Sequence, residues 1–118
     1  MKKVVKFGGS SLASAEQFNK VKSIITADPH RRYVIPSAPG KRFSGDTKVT
    51  DMLYDCYDTA VNGQNFEEKL NKIHQRYKEI IEGLHLELSL DKEFKKISEF
   101  FQNGAGVNYA ASRGEYLN

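Results

Sequence analysis

The chain has 118 residues, 39% of them hydrophobic and 28% charged, and no stretch approaches the roughly 18 uninterrupted apolar residues that a membrane-spanning helix requires. The net charge of +3 is spread along the chain, which excludes the basic patch typical of nucleic-acid binding. The single cysteine, Cys56, cannot form an internal disulfide, and Lys6 interrupts any signal peptide, so a cytoplasmic location is predicted.

The first third of the sequence predicts a β-α-β unit. Val4, Val5 and Phe7 are β-branched or aromatic, and residues 4–7 run into a Gly-Gly pair, which is typical of a buried strand ending in a tight turn. A capping-box pattern at Ser14 and Gln17 predicts the start of a helix, and the Asp-Pro pair at 28–29 predicts its end. Residues 33–35 form a second apolar run, so we expect two parallel strands joined by a right-handed crossover.

A polar loop and a run of helices are predicted to follow. Residues 38–48 are rich in Pro, Gly, Ser and charged side chains, and a loop of this length usually either has a binding role or is disordered. Helices are predicted from near Thr50, over 66–84, over 91–102 and from about Asn108. Two strands with so many helices indicate the amino-terminal part of a larger α/β domain. We expect the chain to end within a helix of that domain.

Two turns of small residues are predicted to meet at one edge of the sheet. Gly8 and Gly9 follow the first strand, and the turn at 37–40 follows the second. Glycines allow backbone N–H groups to approach phosphate oxygens, Lys6 adds a cation, and the next helix points its positive end at the same place. The lysine precedes the glycines, which excludes a Walker A loop, and a plain turn explains the pattern equally well.

Four segments together resemble the amino-terminal part of the aspartokinase family, which belongs to the amino-acid kinase superfamily. They read Lys-Phe-Gly-Gly-Ser-Ser at 6–11, Ser-Ala-Pro-Gly at 37–40, Thr-Asp-Met-Leu at 50–53 and Ser-Arg-Gly-Glu-Tyr-Leu at 112–117. Their order and spacing are specific and span nearly the whole chain. The resemblance implies a partial three-layer α/β/α sandwich of the carbamate kinase-like type, with parallel strands and a helix-rich second half.

The resemblance also implies an activity. The γ-phosphoryl group of ATP would pass, with Mg²⁺, to the side-chain carboxylate of L-aspartate, giving 4-phospho-L-aspartate as the first step of lysine, threonine and methionine biosynthesis. By motif match the catalytic residue is Lys6, which would bridge the β- and γ-phosphates. The residues implied to bind ATP are Lys6, Phe7, Gly8, Gly9 and Ser10. Those implied to bind aspartate are Ser37, Thr50 and Glu115.

Simpler roles and other functions stay open at this stage. Thr50 could cap its helix, Glu115 could lie on a solvated face, and the histidines lack metal-ligand spacing, so no metal site is predicted. The half of the family's domain that completes the ATP site, and its ACT regulatory domains, would lie beyond Asn118. The chain alone is therefore expected to be inactive, and the complete enzyme to be a homo-oligomer without nucleic-acid or membrane partners. The alternatives are an interaction fragment that associates through the apolar stripe at 66–84, or the same fold acting on another small acceptor.

Overall fold

The computed structural model describes residues 2–103 and 107–118, except for the side chains of residues 107, 108, 111 and 115. The secondary-structure elements follow the predicted order. They are β1 (Lys3–Phe7), a 3₁₀ turn (Gly9–Leu12), α1 (Ala15–Ala27), β2 (Arg31–Pro36), α2 (Val49–Val61), α3 (Glu67–Gly83), α4 (Asp91–Gln102) and α5 (Val107–Leu117).

The predicted β-α-β unit is confirmed. β1 and β2 pair in parallel, with Phe7 opposite Pro36. The N-cap half of the predicted capping box forms, because the Gln17 N–H donates to Ser14 Oγ at 3.4 Å and fixes the first turn of α1. α1 covers one face of the sheet, and a small core lies between them, formed by Phe7, Leu12 and Val21 with Val5, Phe18 and Ile25 at its edge.

The other face of the two-stranded sheet is open in the part of the chain that the structure describes. Val4 is 64% exposed, Tyr33 52% and Ile35 49%. Two parallel strands and helices establish an α/β fold, and α2 to α5 make the second half helix-rich, as predicted. Among the described residues a single face of the sheet is covered by a helix, so the three-layer sandwich stays a prediction.

The helices of the second half enclose a larger core. Its fully buried centre includes Val49, Leu53, Cys56 and Ile73, and α4 and α5 contribute Phe94, Ile97, Phe101, Ala110 and Leu117. Most of the apolar stripe predicted at 66–84 is buried here, namely Phe66, Leu70, Ile73 and Tyr77, with Ile80 also buried. The stripe is thus a core face of the folded chain, so the surface on which the interaction alternative depended is already covered.

Two connections are irregular, as the sequence predicts. The loop between β2 and α2 spans residues 37–48, and the leucine-rich link between α3 and α4 leaves Leu86 and Leu88 exposed. None of the described helices is both long enough and apolar enough to cross a bilayer.

Candidate functional site

The two turns of small residues meet at the carboxyl ends of β1 and β2, as predicted. The Gly40 N–H donates to the Gly9 carbonyl at 2.8 Å, and the Ser37 N–H donates to the Phe7 carbonyl at 3.1 Å. Beside this junction lies a cleft of about 600 Å³, which we call the glycine cleft. Both turns, the loop after them and the first turn of α2 line it, through Gly9, Ser10, Ser37, Ala38, Pro39, Gly40, Lys41, Lys48, Thr50 and Asp51.

The junction requires glycine at two positions. A Cβ on Gly40 would lie 2.6 Å from the Gly9 carbonyl carbon and 2.8 Å from the Ser10 nitrogen, both of them backbone atoms that cannot easily move. A Cβ on Gly9 would lie 3.0 Å from the Ala38 carbonyl oxygen. Gly8 has nothing within 4 Å of the same position, so its lack of a side chain is not a packing requirement. Gly9 and Gly40 therefore set the width of the cleft.

The first turn of α2 closes the cleft on another side. The Val49 N–H donates to the Pro39 carbonyl at 3.0 Å, which ties the start of α2 to the 37–40 turn. Lys48 is the N-cap residue and provides no side-chain cap, so Thr50 lies inside the helix rather than capping it. The N–H groups of Thr50 and Asp51 have no acceptor within the helix, which gives this wall of the cleft a partial positive charge.

The helix that follows the glycines does not line the cleft. A 3₁₀ turn at Gly9–Leu12 intervenes, closed by a 3.1 Å hydrogen bond from the Ser11 N–H to the Gly8 carbonyl, and α1 begins at Ala15 after its predicted N-cap residue Ser14. That its positive end is directed at the glycines stays a prediction. The helix start that borders the cleft is that of α2.

Lys6 and Phe7 lie at the end of β1, outside the cleft lining. The Phe7 ring is buried in the core under α1, so its backbone carbonyl is the part that contacts the 37–40 turn. Side chains alternate along a strand, which places Lys6 on the open face of the sheet. Its side chain is exposed and makes no hydrogen bond or ion pair with any described residue. The phosphate-binding roles of both residues stay predictions.

The helix α5 lies directly behind the 37–40 turn. A Cβ on Gly114 would lie 2.5 Å from the Ala38 Cβ, and the Tyr77 hydroxyl donates to the Gly114 carbonyl at 2.9 Å. Glycine at this position lets α5 approach the wall of the cleft. Glu115 follows Gly114 on α5, but its side chain is outside the described residues, so its predicted contact with aspartate stays a prediction.

Sequence reasoning missed the cations around the cleft. Lys41 and Lys48 both line it, and their signal was present as basic residues at the two ends of the predicted binding loop. Between Lys41 and Lys48 the loop is closed by a bidentate ion pair. Arg42 Nε lies 2.7 Å from Asp46 Oδ2, and Arg42 Nη2 lies 3.1 Å from Asp46 Oδ1. Hydrogen bonds from Arg42 hold the pKa of the Asp46 carboxyl well below its usual range, and Asp46 in turn raises the pKa of Arg42.

A buried arginine beneath this loop was missed as well. Arg76 is 5% exposed, and its guanidinium donates to the carbonyls of Gly40, Thr47 and Ala13. Its removal from water lowers its pKa. The signal was its spacing, since Arg76 follows the buried Ile73 by three residues and therefore lies on the core-facing side of α3.

Comparison with known proteins identifies relatives for nearly the whole chain. No family model matches it. The chain is 44% identical over 93 residues to aspartokinase 3 of Bacillus subtilis, covering 79% of this chain and 20% of that protein. It is 31% identical over 104 residues to the aspartokinase of Chlamydia pneumoniae, covering 87% of this chain and 21% of that one.

A solved structure gives the same result in three dimensions. The crystal structure of Clostridium acetobutylicum aspartate kinase matches with a TM-score of 0.94 and 50% sequence identity, over 100% of this chain and 28% of that one. The present chain spans about a fifth of the length of the curated relatives that it matches. The resemblance drawn from four short segments is thereby confirmed.

Proposed function

We propose, from the premise that this chain is homologous to part of the aspartokinases, that its glycine cleft holds the phosphate tail of Mg-ATP beside the side-chain carboxylate of L-aspartate. The proposed reaction is transfer of the γ-phosphoryl group to that carboxylate, giving 4-phospho-L-aspartate. The observation that carries the proposal is the contact between Gly9 and Gly40 at the edge of a cleft with basic residues in its walls.

The cleft suits a polyphosphate in shape and charge. Glycine at 9 and 40 lets the two turns pack against each other, and the cleft beside them is lined largely by small residues, so an anion can approach the backbone of that lining closely. Lys41 and Lys48 offer cations from the loop, and the first turn of α2 offers unpaired N–H groups. Lys6, on the neighbouring strand end, has no competing partner among the described residues and is proposed to bridge the β- and γ-phosphates. Ser10 adds a hydroxyl donor to this wall.

The acceptor end of the cleft suits an amino acid with a second carboxylate. Ser37 and Thr50 line the cleft from two different walls, and a hydroxyl can donate to a carboxylate oxygen. Glu115 is proposed to bind the substrate ammonium group from α5. The nucleophile is already ionised at neutral pH, so no strong base is required. Catalysis of this step depends on alignment and on cations that offset the repulsion between two anions.

The described residues fit Mg²⁺ that arrives with the nucleotide. Magnesium is commonly held by one or two carboxylates together with substrate phosphates, and Asp51 provides one carboxylate in the cleft lining. When bound, the ion would supply positive charge that offsets the phosphate oxygens. The chain's own lysines and N–H groups would orient the phosphate tail.

Amide chemical shifts of the ¹⁵N-labelled 118-residue chain test the proposal. The experiment measures binding and not turnover, because the chain spans about a fifth of the length of its curated relatives and is expected to be inactive alone. Adding Mg-ATP is expected to shift the amides of Gly9, Gly40 and Lys41, and adding L-aspartate those of Ser37 and Thr50. Shifts that respond only to protein concentration would instead support an interaction fragment. A response to another small acceptor in place of L-aspartate would keep the fold and change the substrate.

A further inference from the structure

Arg76 is a buried cation whose ion pair is long. Its side chain is 5% exposed, and the carboxylate oxygen Asp46 Oδ2 lies 3.9 Å from Nη2. The Nε atom is buried and has no hydrogen-bond partner among the described residues. A guanidinium in this state contributes less to stability than a well-packed apolar side chain commonly would. Its contacts therefore suggest a role other than stabilising the core.

The guanidinium joins three segments of backbone. Nη2 donates to the Gly40 carbonyl at 2.7 Å and to the Ala13 carbonyl at 3.3 Å, and Nη1 donates to the Thr47 carbonyl at 2.8 Å. Each acceptor belongs to a segment that builds the glycine cleft. Gly40 is in its lining, Ala13 directly follows the 3₁₀ turn that carries Gly9, and Thr47 precedes the N-cap residue of α2.

We infer that Arg76 is a positioning residue for the glycine cleft: from α3 it fixes the two glycine turns and the start of α2 relative to one another. The coupling to the glycines is direct. The Gly40 carbonyl accepts from Arg76, while the Gly40 N–H donates to the Gly9 carbonyl, so one peptide segment links the guanidinium to the first turn.

The geometry requires arginine rather than any cation. A planar guanidinium presents its donors in a rigid fork, which suits three carbonyls from different directions, whereas a lysine ammonium is a compact charge on a flexible stem. R76K is expected to keep the charge and to hold fewer of the three carbonyls. R76M removes every donor and keeps an unbranched apolar chain. The consequence for binding rests on the function proposed above, because it concerns how tightly the cleft holds a polyphosphate.

Two measurements on the 118-residue chain test the inference, with inorganic tripolyphosphate as the probe. Without ligand, R76M is expected to lose hydrogen-exchange protection at the Gly40 amide well beyond its loss of global stability, and R76K to fall between R76M and the parent chain. With tripolyphosphate, R76M is expected to bind roughly tenfold more weakly, since ordering the turns on binding would then cost about as much as one charged hydrogen bond contributes. The control trims the helical core at Ile97, as I97V or I97A, whichever matches the stability loss of R76M.

The outcomes separate positioning from support of the fold. Parental Gly40 protection and parental affinity in R76M would overturn the inference, and so would an equal loss of affinity in the Ile97 control. If R76M does not fold, R76K decides, and unchanged Gly40 protection in folded R76K would overturn it. If the parent chain does not bind tripolyphosphate, the proposed function fails, while the exchange data without ligand still decide the role of Arg76.

Discussion

The amino-terminal β-α-β part of the chain buries fewer core residues than the helical part does. Among the described residues, the core under α1 has three buried members, whereas the core shared by α2 to α5 has twelve. The open sheet face adds exposed Val4, Tyr33 and Ile35 to the first part. The glycine cleft lies where the two parts meet. The β-α-β part, with its small core, provides the two glycine turns, and the helical part packs behind them.

The largest effect is expected when the same buried side chain is shortened in each of the two cores. Leu53 is completely buried in the helical core, and Leu12 is 3% exposed in the small one. We expect L53A to cost about 4 kcal/mol and L12A about 2, because a site with few packed neighbours can collapse around the missing atoms. Urea denaturation followed by circular dichroism measures both. Equal losses would contradict the view that the two cores differ in packing.

A smaller effect is expected from adding one methyl group at the junction of the two parts. G40A places a Cβ against the Gly9 and Ser10 backbone, and we expect it to cost about 1–3 kcal/mol and to weaken polyphosphate binding, because the turns must separate. G45A is the matched control, since its Cβ would meet only the Phe43 ring at 3.8 Å, an ordinary van der Waals distance, and Gly45 does not line the cleft. Thermal unfolding and tripolyphosphate titration of the pair check this. A G45A effect as large as that of G40A would show that the contact between the glycine turns is not the sensitive point.

The ion pair that closes the loop over α3 is expected to matter less. D46N should cost about 1 kcal/mol at neutral pH, in the range of a partly exposed charged hydrogen bond. The pKa of Asp46 is lowered in the folded chain, so its contribution is fully present above the unfolded value of about 3.9 and is lost as the pH falls through the lower folded value. The gap between parent and D46N in urea midpoint should therefore narrow below about pH 4. A gap that widens on acidification would contradict this sign.

The smallest effect is expected at the start of α1. The hydrogen bond from the Gln17 N–H to Ser14 Oγ is long at 3.4 Å, so S14A should cost about 0.5 kcal/mol, the low end for loss of a cap. Replacing Ser14 by Asp, which also caps well, should restore stability and serves as the control. A loss in S14A above that of D46N would mean that the β-α-β part depends more on local capping than on its contacts with α3.

Local signals were sufficient to predict most of the secondary structure. The bounds of α4 match the predicted 91–102, because Phe94, Ile97 and Phe101 define one apolar face. The parallel pairing of the strands followed from the β-α-β order, and the meeting of the glycine turns followed from the pairing. These features depend on residues close in sequence or on rules of chain connection.

Features that depend on distant contacts were not predictable in the same way. The spacing of Arg76 from Ile73 places it on the core-facing side of α3, but the pattern alone does not predict that a charged side chain is buried there. Its burial follows from three carbonyls that the loops bring to it from 29 to 63 residues away. The 3₁₀ turn between Gly9 and α1 was missed because the pattern gives the helix start at Ser14 but not the path before it. The need for glycine at positions 40 and 114 could not be predicted either, because it depends on the backbone and side chains that distant segments place against them.

Paramagnetic broadening by Mn²⁺-ATP in the ¹⁵N-labelled chain tests the central claim most directly, because the ion marks the place where the phosphate tail sits. We expect broadening to be strongest at the amides of Gly9, Gly40 and Thr50, and we expect G40A to reduce it while G45A does not. Broadening centred on the open sheet face around Tyr33, or uniform weak broadening along the chain, would show that the phosphate tail does not bind in the glycine cleft.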